Sequence, residues 1–150
     1  MKLLLAIIVG ASLSLAATAY AGGGPENVLL VVNANSETSK TIANNYIQWR
    51  KIPPSNVVYL DWKGSRDETS AETFRDQILL PALMAIDSRH LASQIDYIVY
   101  SSDFPWRINM HHIFAKEKPV PNFDFMASLT GSTYLAPLLL SENPNIVAPD

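Results

Sequence analysis

The 150-residue chain contains no cysteine, so it cannot be a disulfide scaffold, a thiolate metal site or, within this segment, a cysteine peptidase. It has no basic surplus either. With 11 Lys and Arg against 14 Asp and Glu the formal charge is −3, which argues against nucleic acid or an anionic membrane as a partner. Glycine is scarce, 6 residues, and neither Gly-x-Gly-x-x-Gly nor Gly-Lys-Ser occurs, so no nucleotide-phosphate cradle is expected. A Gly-x-Ser-x-Gly elbow is also missing, which leaves no serine displayed as a nucleophile. His111 and His112 are neighbours, not an i, i+4 helical pair, so they do not chelate one ion together, and no metal or cofactor is expected. There is no internal repeat.

What is present begins with an export address. Lys2 supplies the positive end, Leu3 to Leu15 an apolar core of about 13 residues, too short to span a bilayer, and Ala19-Tyr20-Ala21 a small-x-small cleavage site. Residues 1–21 therefore read as a signal peptide, 22–26 as a flexible lead-in, and 27–150 as a single α/β domain. The implied location is secreted or periplasmic, with no stable membrane insertion once the signal is removed. Losing Lys2 makes the product slightly more acidic.

The mature chain is organised around a β-α-β unit. Val28 to Val32 is an unbroken apolar run, as in a parallel strand covered on both faces. Asn33, Ala34, Asn35 and Ser36 form a polar turn, with Ser36 as N-cap and Glu37 at the positive end of a helix. Ile42, Ala43, Tyr46 and Ile47 are its expected buried stripe, and Lys40, Asn44, Asn45 and Gln48 its wet side, with Trp49 and Arg50 packing over the last turn. Pro53-Pro54 stops it before a second run from Val57. Asp61 to Asp67 reads as a loop. Thr69 and Glu72 have capping-box spacing for a second helix, with Phe74, Ile78, Ala82 and Ala85 or Ile86 inward and a kink or break at Pro81. Arg89 and His90 close it.

Ile95 to Tyr100 is the third strand. Pro105 then forbids simple continuation in a central ladder. Residues 109 to 124, with Pro119 and Pro121, read as a long surface excursion of the kind that often carries function. Phe125 to Leu129 and Tyr134 to Leu140 are expected helical segments divided by Gly131 and Ser132. The fold class is thus α/β: a three-layer, mainly parallel open sheet with strands near 28–33, 57–62 and 95–101. Three strands make a thin sheet, so the domain is expected to be incomplete, with more of it beyond residue 150.

VLLVVNANSETSKTIANNYIQWRKIPPSNVVYL, IDYIVYSSDFPWRI and ASLTGSTYLAPLLL, in that order, resemble the N-terminal part of an uncharacterised family of exported bacterial proteins, frequent in planctomycetes and usually several times longer. The resemblance covers most of the mature chain and implies no activity. Where many relatives carry Lys-Gly-Val-Pro, this chain has Ser102, Asp103, Phe104 and Pro105, so a role needing that lysine or glycine does not carry over. In layout alone the strand order is similar to that of the caspase and gingipain cysteine peptidases, and no residue transfers from that analogy.

Ligands of open α/β sheets bind beyond the carboxyl ends of the strands. With the third strand beside the first, Asn33, Asn35 and Ser36 would face Ser101, Ser102 and Asp103 across a crevice. Trp106 follows as a stacking surface, and Arg107 as a partner for Asp103 or an anionic group. Asn and Ser equally serve turns and caps, and Trp62, Phe104 and Trp106 equally serve packing. Two readings result. One is an exported module binding peptide or glycan through Asn35, Ser102, Asp103 and Trp106. The other is the first part of a hydrolase whose nucleophile lies beyond residue 150. Ser102, Asp103 and His111 make only a weak triad within the chain. The address predicts that the exported protein starts at Gly22, which intact mass and N-terminal sequencing would establish. A mature product still bearing Met1 would refute cleavage.

Overall fold

The computed structural model describes residues 23–114 and 125–141. The predicted signal and its cleavage site, the stretch around Pro119 to Asp124, and the chain after Ser141 lie outside the described residues. Among those described, no helix is long and apolar enough to cross a membrane.

Strand β1 (Val28–Asn33) is buried along its whole length, and this follows from its sequence. Alternate side chains of a strand point to opposite faces, and here both sets are apolar. Leu29 and Val31 enter one core with Val58, Leu60, Trp62, Phe74, Ile78 and Leu79. Val28, Leu30 and Val32 enter another with Ala43, Ile52 and Val57. Strand β2 (Val57–Leu60) pairs parallel to one side of β1, with Leu30 opposite Val57. Strand β4 (Tyr97–Tyr100) pairs parallel to the other, with Leu29 opposite Ile98. The order is β2-β1-β4, so the expected parallel three-stranded sheet with helices on both faces is what the chain forms. Three boundaries are shorter than read: β2 ends at Leu60, and β4 begins at Tyr97 and ends at Tyr100.

Helix α1 (Glu37–Arg50) covers the second of these faces. Ser36 accepts a hydrogen bond from the Ser39 amide at 3.0 Å as its N-cap. Lys51, in the left-handed conformation at φ 59°, ends it ahead of Pro53. The buried side runs through Ser39 and Ala43, with Tyr46 and Ile47 half-covered. Ile42, expected inside, is exposed, because the inward arc is centred one position away, on Ala43. Trp49 does not pack over the last turn as expected but is 77% exposed.

The opposite face is covered by α2, a continuous helix over 71–88 made of an α turn (Ala71–Phe74), a π turn (Arg75–Leu79) and an α segment (Leu80–Ser88). Pro81 lies in the first turn of the last segment. Proline lacks an N–H and crowds the carbonyl four residues back, and the π turn immediately before it is where the helix adapts. The helix neither breaks nor restarts. Its N-cap is Ser70, which accepts from the Thr73 amide at 3.1 Å. Thr69, the cap expected from spacing, lies instead in a short strand.

That strand is β3 (Glu68–Ser70), part of a second small sheet with β5 (Arg107–Asn109) and β6 (Met126–Ser128) in the order β3-β5-β6. The sequence reading missed this sheet. Phe125 to Leu129 is therefore not a helix. The helical pieces that follow are α4 (Leu129–Tyr134), which contains Gly131 and Ser132, and α5 (Ala136–Ser141); the break falls at Leu135. His111 and His112 sit in α3 (His111–Phe114), a single turn, with their rings edge to face at 5.9 Å.

Asn56 holds the amino-terminal end of the main sheet together. Fully buried, it donates from Nδ2 to the carbonyls of Glu26 at 2.6 Å and Val28 at 3.1 Å. Replacing it by alanine leaves the Val28 carbonyl without its side-chain donor, at about 1–3 kcal/mol for a buried polar group left unpaired, while the Glu26 carbonyl keeps the Gln94 side-chain amide at 2.7 Å. Asn56→Ala is expected to lower the urea midpoint accordingly with unchanged slope, and a midpoint equal to wild type would contradict this role.

Candidate functional site

At the carboxyl end of β1 three chain segments diverge: the turn 34–36 into α1, the loop after β2, and the turn after β4. Ser39, fully buried in the first turn of α1, accepts from the Asn33 amide at 3.0 Å, and its carbonyl accepts the Ser101 hydroxyl at 2.7 Å. The helix start is thereby fastened to both β1 and the end of β4. The Ala34 amide continues the ladder to the Leu60 carbonyl at 2.8 Å.

Between these segments lies a crevice of about 260 Å³ lined by Asn33, Asn35, Ser36, Trp62, Lys63, Gly64, Arg66 and Asp103. Asn33 is its floor. Its Oδ1 accepts the Asn35 amide at 3.0 Å, and its Nδ2 donates to the Asp103 carbonyl at 2.8 Å. Asp103 adopts φ 67°, a left-handed conformation that Asp and Asn tolerate better than other side chains. Its carboxylate is 13% exposed; Oδ2 accepts the Ser36 hydroxyl, and Oδ1 lies 3.2 Å from the Arg66 guanidinium. A carboxylate is thus held beside the positive end of α1, where it is favoured electrostatically. Ser36 accepts from its own helix and donates to Asp103, so its single proton is committed.

The opposite wall is the loop after β2. Asn35 Nδ2 donates to Asp61 Oδ1 and, at 3.2 Å, to the Trp62 carbonyl. The Lys63 ammonium is 2.9 Å from Asp61. Hydrogen bonds from Lys63 and Asn35 hold the Asp61 carboxyl below the usual carboxylate range. Trp62 is buried, and its indole N–H meets no acceptor among the described residues. Gly64 lies over the indole, where a Cβ would come within 2.3 Å of the ring. Trp62 is therefore covered and presents no stacking face.

Of the residues singled out from sequence, Asn33, Asn35, Ser36 and Asp103 line the crevice, whereas Ser102, Trp106 and Arg107 do not. The Ser102 hydroxyl has no hydrogen-bond partner among the described residues, and the Asp103 carboxylate is taken up by Ser36 and Arg66, so Ser102, Asp103 and His111 are not linked as a triad. Arg107 does not reach Asp103. It faces Asp67 at 3.5 Å and Glu68 at 3.3 Å, and its guanidinium lies 4.6 Å from the centre of the exposed Trp106 ring. The partner of Asp103 is Arg66, from a loop 37 positions earlier in the chain. In sequence Lys63, Gly64 and Arg66 read as ordinary loop residues; the signal that marks them is their place after a β2 strand adjacent to β1. Among the described residues no group of His, Asp and Glu is arranged to hold a metal ion.

No family model, curated protein or solved structure matches this chain.

The geometry at Asp103 separates two kinds of substitution. Asp103→Asn keeps the tolerance for φ > 0 and an acceptor for Ser36, and loses an ion pair whose Arg66 half is in water, worth about 1 kcal/mol. Asp103→Ala pays the left-handed penalty and loses the acceptor, together about 2–3 kcal/mol. Denaturation midpoints should rank wild type, Asn and Ala in that order. Equal losses for the two variants would show that neither the backbone conformation nor the Ser36 bond matters.

Proposed function

We propose that this chain is an exported binding module that takes a polar ligand, the end of a glycan or peptide chain, into the crevice at the carboxyl ends of β1, β2 and β4. The observation that carries the reading is convergence. Four side chains from the end of β1, the turn that follows it and the turn after β4 meet three from the loop after β2 around one concave space, at the position where open parallel sheets bind ligands. Asn33, Ser36 and Asp103 are fixed by one another, so the site is formed before a ligand arrives and little ordering is needed on binding. Asn35, Lys63 and Arg66 stand at the mouth and are the groups a ligand meets first.

Catalysis is a less supported reading. The hydrolase alternative needs a nucleophile from beyond residue 150, and no described residue favours it over binding.

The test is a screen of the full exported chain against immobilised glycans and peptides, followed by two substitutions at the mouth, Asn35→Ala and Arg66→Ala. Each removes one or two polar contacts, so a ligand in the crevice should bind about tenfold more weakly to either variant, with thermal unfolding nearly unchanged because both side chains are exposed. A ligand whose affinity is indifferent to both substitutions binds elsewhere, and the crevice reading fails.

A further inference from the structure

We propose that the crevice selects a neutral saccharide, one ring at the end of a chain, over a charged or apolar peptide; this rests on the binding reading above and narrows it. The first argument is charge. The two cations of the lining, Lys63 and Arg66, are matched by Asp61 at 2.9 Å and Asp103 at 3.2 Å. An incoming anion would be stripped of water beside two carboxylates, and an incoming cation beside an ammonium and a guanidinium. Neither meets an uncompensated opposite charge, so neither recovers its desolvation cost.

The second argument is what the walls are made of. The lining holds two asparagines, a serine, a tryptophan, a lysine, a glycine, an arginine and an aspartate. No aliphatic residue is among them, so an apolar peptide side chain would have to pack among polar groups whose hydration it cannot replace. A sugar hydroxyl, by contrast, both donates and accepts. The Asn35 Oδ1 offers an acceptor, and the exposed Arg66 guanidinium offers donors beyond those turned towards Asp103.

The third argument is the Trp62 indole N–H. Trp62 is 3% exposed and borders the crevice, yet this donor has no acceptor among the described residues. Buried donors are rarely left without a partner, and a hydroxyl oxygen would supply one. Size agrees: about 260 Å³ is below the roughly 300–1,000 Å³ of pockets that enclose whole drug-sized ligands, which suits a single ring with the rest of the chain outside.

The experiment is an NMR titration of the full exported chain, following the Trp62 indole N–H and the Asn35 side-chain amide. The neutral probes are cellotriose, maltotriose, xylotriose and chitotriose; the others are trigalacturonic acid and trialanine. At least one neutral trisaccharide should shift both resonances, bind about tenfold more weakly to Asn35→Ala, and change affinity less than about twofold between low and high salt, as expected of an uncharged ligand. If trigalacturonic acid or trialanine shifts both resonances while no neutral sugar does, the saccharide inference is overturned and the binding reading stands. If no probe moves them, both are rejected. A neutral sugar that perturbs only Trp106 also overturns the inference, because the site is then on the second sheet.

Discussion

Everything in this fold follows from one demand, that six consecutive residues, Val28 to Asn33, be removed from water on both faces and both edges. A strand with apolar side chains on both sets of alternate positions cannot lie at a surface. It needs a strand on each side and a layer above and below. The chain meets this by sending α1 to one face and α2 to the other, so that β2 and β4 arrive on opposite flanks of β1. The crevice is a by-product of the same arrangement. Where the crossovers leave in different directions, the segments beyond the strand ends part, and the gap is floored by the last residue of the buried strand. Asn33 is the point at which apolar burial gives way to hydrogen bonding, and its side chain ties together the turn that follows it and the turn that follows β4.

Long elements were legible because their signals are repeated. Five apolar residues from Val28, a Ser36 cap before an amphipathic stretch and a Pro53-Pro54 stop say the same thing three times. The small sheet was not legible because three-residue strands leave no room for a period. Glu68 to Ser70 and Met126 to Ser128 become strands only because each finds Arg107 to Asn109 beside it. The displacement of the α2 cap from Thr69 to Ser70 has the same origin, since the strand runs through Ser70, opposite Asn109, and the helix starts only after it. Ile42 illustrates a different gap: helical spacing defines a stripe but not the line along which the sheet is tangent to it.

The site was half legible for a related reason. Residues that directly follow a recognisable strand, such as Asn33, Asn35, Ser36 and Asp103, inherit their position from it. Arg66 and Lys63 belong to a loop whose path depends on where β3 docks, so their approach to Asp103 and Asp61 is a tertiary fact. Arg107, nearer to Asp103 in sequence, was the natural partner to expect. It is carried away because Pro105 turns the chain out of the main sheet and delivers it to β5.

Arg89, at the end of α2, reaches back to the start of β2 and donates to the carbonyls of Ser55 at 2.7 Å and Val57 at 2.9 Å. The Leu60 carbonyl faces β1, where it meets the Ala34 amide, so by alternation the Val57 carbonyl points outward, along the margin of β2 that no other described strand pairs with. One guanidinium therefore occupies the first outward acceptor of β2 and the one just before the strand, and it places a positive charge on that margin. Self-association by strand addition, the usual hazard of an unpaired sheet edge, is made less favourable at the start of β2 by a residue that also finishes a helix.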